Sequence, residues 1–233
     1  MEDAGPTAVI VAHGQPSDPV PAAAEIAALA AAVSGHLPGW RVRAATLAEP
    51  GALARAVQGA PGVVYPLFMA GGWFTRTNLP RQLAAAGGEG WRLAEPFGTD
   101  PAVGDLTVAI AREALAVARA PAILLAAHGS FRSSAPSDVA HAMAERLEQE
   151  LGLPCKAAFI DQEPRIVEVA RRMREALCLP FFAARGGHVV SDLPDALAEA
   201  RFRGPVLEPV GLDPRAPALI ARAIAALGTA PGG

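Results

Sequence analysis

The sequence contains the stretch Ala8-Val-Ile-Val-Ala-His13-Gly14, and a similar stretch, Ala122-Ile-Leu-Leu-Ala-Ala-His128-Gly129, places its histidine 115 residues later. Other landmarks recur at a spacing of 114 or 115 residues: Glu49-Pro50 with Glu163-Pro164, Pro66 with Pro180, Gly71-Gly72-Trp73 with Gly186-Gly187-His188, and Pro80 with Pro194. Collinear matches at a nearly constant spacing indicate an internal repeat. The sequence therefore predicts two related lobes, at residues 1–119 and 120–233.

Each lobe alternates short apolar runs with longer segments of helical period, a pattern typical of parallel β-α-β units. Strands are predicted at 8–12, 41–47, 62–68 and 91–93 in the first lobe, and at 122–127, 155–161, 177–183 and 204–207 in the second. Apolar positions at helical spacing predict helices at 22–34, 137–151, 164–176 and 217–227. The predicted fold is α/β, with two similar doubly wound parallel-sheet lobes facing a central cleft.

The composition of the chain argues against several classes of protein. With 233 residues, 52% of them hydrophobic, the chain can bury a sizeable core. Its formal net charge is −3 and its basic residues are scattered, so no nucleic-acid partner is expected. The chain begins Met-Glu-Asp without the features of a signal peptide, and Glu25 and His36 interrupt its alanine-rich stretch. We therefore expect a cytoplasmic location without membrane attachment.

Two cysteines, Cys155 and Cys178, are the only thiols in the sequence. They lack the close spacing of a thiolate zinc site or an iron–sulfur cluster, and they do not form a disulfide framework. Free cysteines behave as small hydrophobic residues, so both are predicted to be ordinary buried thiols.

Three polar residues follow predicted strands of the second lobe, where open α/β sheets bind their ligands. His128 follows the first strand, Glu163 the second, and His188 lies in a glycine-rich loop after the third. Two imidazoles and a carboxylate form a plausible site for Fe, Co, Ni or Zn. Taken singly, His128 could instead cap a turn, and Glu163 could be an exposed carboxylate at a helix start. His36 and His141 fall in helical patterns among polar neighbours and are expected to be solvated.

The first lobe keeps His13 and Glu49 in the equivalent places but has Trp73 where we align His188. An indole cannot ligate a metal, although it can stack against a planar ligand. The first lobe is therefore predicted to shape the cleft while the second holds metal. A structural role for His13 and Glu49 is favoured, and a relic or a second weak site stays open.

Arginines lie close to these loops and would suit a ligand with several carboxylates. Arg76 lies in the first lobe, whereas Arg132, Arg165 and Arg185 lie beside the three candidate residues of the second. For Arg165 a simple pairing with Glu168 on a helix face is an equal alternative.

Several common catalytic motifs are missing from the sequence. The turn that contains Ser130 lacks the nucleophile elbow of a hydrolase, and no nucleotide-binding glycine motif is present. Ser130 is therefore grouped with the substrate-binding candidates Trp73, Arg76, Arg132 and Arg185. A hydrolase or transferase that binds anions at the histidine-glycine turns remains a weak alternative.

Three second-lobe segments resemble the sirohydrochlorin chelatase family, the class II tetrapyrrole chelatases, in its long two-lobed form. They are Ala127-His128-Gly129-Ser130, Ala158-Phe-Ile-Asp161-Gln162-Glu163-Pro164 and Leu179-Pro-Phe-Phe-Ala-Ala-Arg-Gly-Gly-His188-Val-Val-Ser-Asp192-Leu-Pro194. The first lobe resembles a diverged copy through Val64-Tyr-Pro-Leu-Phe-Met-Ala-Gly-Gly-Trp73 and Asn78-Leu-Pro80. The resemblance thus extends over nearly the whole chain.

This resemblance implies an enzyme that inserts Co²⁺ or Fe²⁺, and by its ligand types also Ni²⁺, into sirohydrochlorin or a related tetrapyrrole, without an organic cofactor. It implies that His128, Glu163 and His188 are the catalytic metal ligands. Family members commonly keep the full ligand set in the first lobe, where Trp73 breaks it here, and their carboxylate motif leaves Asp161 as a rival to Glu163. A non-catalytic carrier of tetrapyrrole or metal is the alternative function. A monomer or a weak homo-oligomer is expected.

Overall fold

The structure is a computed structural model that describes residues 5–16 and 18–229, except for the side chains of His188 and Thr229. Its strands are β1 (Thr7–Ala12), β2 (Arg41–Thr46), β3 (Val63–Pro66), β4 (Arg92–Leu93), β5 (Ile123–Ala127), β6 (Cys155–Phe159) and β7 (Leu177–Pro180). Its helices are α1 (Pro19–Ser34), α2 (Ala52–Ala56), α3 (Leu79–Ala85), α4 (Pro101–Val117), α5 (Ala135–Leu151), α6 (Ile166–Arg172), α7 (Leu193–Glu199) and α8 (Ala216–Thr229). The π-helical turns Phe74–Asn78 and His188–Asp192 lead into α3 and α7, and 3-10 turns cover Phe97–Thr99 and Val210–Leu212.

The strands form two parallel sheets, one in each of two compact units. Unit 1 comprises the described residues up to Phe97 and those from Pro214 onward, and its strand order is β2-β1-β3-β4. Unit 2, Gly98–Asp213, has the order β6-β5-β7. Every residue of β1 and β5 is buried, which explains why both strands are continuous apolar runs. The predicted α/β class with two similar parallel sheets is confirmed.

The last helix of each repeat packs into the unit that holds the other repeat. Helix α4 follows the strands of unit 1 in the chain but packs against α5 of unit 2, and α8 packs against α1 and β3 of unit 1. Arg146 of α5 pairs with Asp105 of α4 at 2.5 Å, and Arg92 donates to the carbonyl of Gly228 at 2.8 Å. The units therefore differ from the predicted division at residue 119, which kept each helix with its own repeat.

Two other sequence predictions differ from the structure. Residues 204–207 do not form a strand, since one isolated bridge pairs Val206 with Cys178 and Pro205 has no N–H to donate. The helices α2, α3, α4 and α7 were not predicted, although Asp100 caps α4 by accepting a hydrogen bond from the Ala102 N–H at 2.9 Å. The Asp-Pro start of α4 is a helix signal that the apolar period did not reveal.

Both thiols lie in the core of unit 2, as predicted. Cys155 begins β6 and Cys178 lies within β7, and both are free and buried. Burial raises the pKa of each thiol to about 12. Within the described residues, no helix combines the length and the apolar character needed to span a bilayer.

Candidate functional site

The three candidate residues of unit 2 follow three neighbouring parallel strands. His128 comes directly after β5, the 160–163 segment after β6, and the loop to His188 after β7. Backbone hydrogen bonds extend the ladder past the strand ends, because the Asp161 N–H donates to the His128 carbonyl at 2.9 Å and the Phe181 N–H to the Ala126 carbonyl at 2.7 Å. These loops therefore share the carboxyl edge of the sheet, where α/β proteins bind ligands.

One nitrogen of the His128 ring lies near two hydrogen-bond acceptors. Its Nδ1 lies 2.9 Å from the carbonyl oxygen of Gly129 and 3.5 Å from Oδ2 of Asp161. Two acceptors on the same nitrogen favour the tautomer that carries its proton on Nδ1. The lone pair of the neutral ring is then on Nε2, as a metal ligand requires.

Gln162 ties the histidine turn to the carboxylate segment. Its Oε1 accepts a hydrogen bond from the Ser130 N–H at 2.7 Å. Gly129 has a φ of +73°, and a Cβ there would lie 2.7 Å from Gln162 Cγ and 2.9 Å from Phe159 Cβ. Glycine is therefore required at position 129 for both its conformation and its size. Sequence reasoning missed Gln162, because its contact joins positions 32 residues apart.

The structure brings Asp161 rather than Glu163 next to His128. Glu163 has a side chain that is 70% exposed, with Oε1 3.6 Å from Nε of Arg165. Its Oε2 also accepts a hydrogen bond from the Arg165 N–H at 3.1 Å. The alternative pairing of Arg165 with Glu168 is not among the ion pairs of the described residues.

His188 begins the second π-helical turn, and its side chain lies outside the part of the chain that the structure describes. Among the described side chains, no group of three or more His, Cys, Asp and Glu residues could hold a metal ion. The described half of the site thus consists of one imidazole and the nearby carboxylates. The ligand set stays a prediction.

The predicted substrate-binding residues have different surroundings. Trp73 is 57% exposed, and Arg76 and Arg132 are also exposed. Nη2 of Arg185 instead lies 2.6 Å from Oε2 of Glu208. The Ser130 hydroxyl accepts a hydrogen bond from the backbone of Arg132 at 3.1 Å, within its own turn.

An exposed aromatic residue, Phe131, lies three positions after His128 and was not singled out from the sequence. Its side chain is 74% exposed. The guanidinium carbon of Arg165 lies 5.5 Å from the ring centroid, within the range of a cation–π contact. Nη1 of Arg165 also donates a hydrogen bond to the carbonyl of Ile160. Unit 2 therefore presents a flat apolar face beside its polar edge.

The equivalent edge of unit 1 is occupied by aromatic and paired side chains. The ring of His13 meets that of Phe74 edge-on, with centroids 5.0 Å apart, and Glu49 forms an ion pair with Arg55. Phe74 begins its π-helical turn eight residues after the end of β3, just as His188 does after β7. Phe74, one position after the Trp73 that the sequence aligns with His188, therefore begins the equivalent turn of unit 1.

Residues 122–227 match the CbiX family model. A structure of CbiX, described as the terminal enzyme for biosynthesis of siroheme in denitrifying bacteria, is 47% identical and superposes with a TM-score of 0.87. That match covers 94% of this chain and 98% of the other. The chain belongs to the CbiX family. The resemblance to sirohydrochlorin chelatases is thereby confirmed.

More distant structures share the fold of this CbiX family member. DR2241 from Deinococcus radiodurans, a multi-domain protein with structural similarity to chelatases, is 25% identical with a TM-score of 0.68, over 96% of this chain and 55% of that one. SirB from Bacillus subtilis with Fe³⁺ is 17% identical with a TM-score of 0.75, over 97% of this chain and 96% of that one. No curated protein matches the chain significantly.

Proposed function

We propose that this CbiX family member inserts Co²⁺ or Fe²⁺ into sirohydrochlorin or a closely related tetrapyrrole at the carboxyl edge of the unit 2 sheet. The observation that carries the proposal is the setting of His128, whose Nδ1 faces the Gly129 carbonyl and the Asp161 carboxylate. CbiX itself is described as an enzyme of siroheme biosynthesis, and SirB is known with Fe³⁺ and with cobalt. Both metals suit imidazole and carboxylate ligands.

The two carboxylates near His128 have different proposed roles. Asp161, at 3.5 Å from Nδ1, is the group that orients the imidazole, as outer carboxylates do for metal-binding histidines. Glu163 is exposed and its only ion pair among the described residues is with Arg165, so it can turn toward an incoming ion and serve as its ligand.

His188 is proposed as the second imidazole ligand. Support comes from unit 1, where Phe74 occupies the equivalent start of a π-helical turn and reaches the ring of His13 at 5.0 Å. The same scaffold in unit 2 would bring the residue at position 188 toward His128. The metal here is a substrate, held only until it enters the macrocycle.

The proposed reaction exchanges one divalent ion for two pyrrole protons. The metal forms bonds to the four ring nitrogens, two N–H bonds break, and two protons leave, without any change of oxidation state. Glu163 is exposed, so it can accept a proton and release it to water. Part of the binding energy would distort the ring so that its nitrogens face the ion. Of the predicted substrate contacts in unit 2, Arg132 is exposed, whereas Glu208 holds Arg185 at 2.6 Å, a closer ion pair than the 3.6 Å between Arg165 and Glu163.

The experiment that tests this function is anaerobic visible absorption of sirohydrochlorin with Co²⁺ or Fe²⁺. The purified protein should accelerate insertion over the non-enzymatic rate, and His188→Ala should lose about 100-fold or more of that acceleration while still binding tetrapyrrole. His36→Ala, which removes an exposed histidine of unit 1, is the matched control. Unchanged turnover in His188→Ala would reject the proposed site. Tetrapyrrole binding without acceleration by the wild type would instead identify a carrier.

A further inference from the structure

The carboxyl edge of the unit 2 sheet carries an aromatic ring that is not packed into the hydrophobic core. Phe131 is 74% exposed, so most of its ring area remains in water. Large exposed aromatic residues beside polar loops commonly mark binding surfaces. The ring sits in the turn that also carries His128, and it shares that turn with the Ser130–Gln162 hydrogen bond. Its backbone is therefore held in place by the same contacts that hold the histidine.

Arg165 is positioned against this ring before any ligand arrives. Its guanidinium lies 5.5 Å from the centroid of Phe131, donates to the Ile160 carbonyl and lies 3.6 Å from Glu163. These contacts restrict a side chain that would otherwise have many rotamers, so less entropy is lost when it pairs with an anion. One guanidinium thus covers part of the ring while the rest of the ring stays open.

We propose that Phe131 and Arg165 together form the substrate-binding element of unit 2, which determines its affinity for a polycarboxylated tetrapyrrole. This inference rests on the proposed function. The apolar face of the macrocycle stacks on the open part of the Phe131 ring, and a carboxylate at its periphery pairs with the Arg165 guanidinium. Stacking needs a flat apolar surface, and carboxylate recognition needs a forked donor. A ligand that has both features gains from both contacts at once.

The repeat shows that this element is not a general property of the fold. The residue at the Phe131 position in the first histidine turn of unit 1 is Pro16, which cannot stack in this way. Unit 1 carries its exposed indole, Trp73, at the start of a different turn. Among the described residues, an exposed aromatic ring within the histidine turn itself is therefore found in unit 2 and not in unit 1.

The test measures metal-free binding of sirohydrochlorin by absorption or fluorescence titration, and then turnover. Phe131→Ala and Arg165→Ala should each raise the Kd and the KM about tenfold, and Phe131→Ala should change kcat less than about twofold. Phe131→Trp and Arg165→Lys should retain most of the affinity. The matched controls are Val117→Ala, which shortens another exposed apolar side chain, and Arg174→Ala, which removes an exposed arginine before β7. Circular dichroism checks that each variant is folded.

A double variant sharpens the result. Because the two side chains act on one ligand and contact each other, Phe131→Ala with Arg165→Ala should weaken binding less than the product of the single effects. Wild-type affinity in Phe131→Ala would overturn the inference even if the enzyme is active. A wild type that binds tetrapyrrole through Phe131 but inserts no metal would reject the proposed function and leave this inference standing. No binding by the wild type would reject both.

Discussion

The two units place a histidine at the same point of the same scaffold and surround it differently. In unit 2, His128 directs Nδ1 at the Asp161 carboxylate, 3.5 Å away. In unit 1, the ring of His13 meets the ring of Phe74, with centroids 5.0 Å apart. A carboxylate orients an imidazole, whereas a phenyl ring packs against it. The two sheet edges therefore differ in the side chain that contacts the histidine, and not in the histidine itself.

Backbone geometry is shared even where the side chains diverge. Gly14 has a φ of +75° and Gly129 a φ of +73°, and a Cβ at either would lie 2.7 Å from a side-chain atom, of Thr46 at the end of β2 and of Gln162 after β6, respectively. A larger residue at either position would therefore strain the turn. The repeat thus preserves the turn that presents the histidine, while the chemistry of each unit depends on side chains that can change without altering the fold.

The largest difference between the units should appear when each histidine is removed. His128→Ala should lower the rate of metal insertion about 100-fold or more, because a proposed ligand is lost. His13→Ala should change the rate less than about twofold, because its ring packs against Phe74. Anaerobic absorption assays with both variants measure this. Equal losses in the two variants would show that unit 1 also takes part in the chemistry.

The next largest difference is expected between substitutions of the two unit 2 carboxylates, which test the roles proposed for them. Glu163→Gln should lower turnover between about 10- and 100-fold through loss of a ligand and proton acceptor. Asp161→Asn should cost roughly 10-fold, chiefly in metal affinity, since it only orients His128. Glu49→Gln is the control from unit 1, where the carboxylate pairs with Arg55. A larger loss in Asp161→Asn than in Glu163→Gln would exchange the two roles.

A substitution in unit 1 can make the two edges more alike. Phe74→His, in a His128→Ala background, should add weak Co²⁺ binding that a cobalt absorption titration detects. We expect an affinity about 10- to 100-fold below that of unit 2, since Glu49 is held by Arg55 and is not available as an orienting carboxylate. The His128→Ala protein without the added histidine is the control. An unchanged cobalt spectrum would mean that the equivalence of Phe74 and His188 does not extend to their side chains.

The fold could be predicted from the sequence wherever the burial of an element produces a regular pattern of apolar residues. The strands β1 and β5 are buried on both faces. Each strand is therefore a continuous apolar run, and the histidine that follows it marks its end. The unit into which α4 and α8 pack cannot be predicted in this way. An apolar helix face indicates that another element covers it, but it does not indicate to which unit that element belongs. Asp105, which pairs with Arg146 of α5, is an ordinary exposed carboxylate in the sequence.

The candidate site was predictable only to within a residue or two. His128 was found from its place after a strand, but the choice between Asp161 and Glu163 depends on how the chain turns after β6. Trp73 was aligned with His188 on the glycine pair before it, whereas the structure aligns Phe74 through the eight residues that follow each strand. Phe131 and Arg165 come together across 34 positions, a distance at which no local pattern operates.

The smallest expected difference concerns the thiols, which occur only in unit 2. Burial raises the pKa of Cys155 and Cys178 to about 12, above the value of about 8.5 for an unfolded chain. The protonated thiols therefore contribute their full stability below pH 8.5, and the contribution is lost as the pH rises toward 12, because the unfolded chain ionises first. Between pH 7.5 and 9 the loss should be less than roughly 1 kcal/mol for each thiol in urea unfolding. A variant with both cysteines changed to alanine should show a correspondingly flatter pH dependence. If its slope matched that of the wild type, the pH dependence would arise from groups other than the unit 2 thiols.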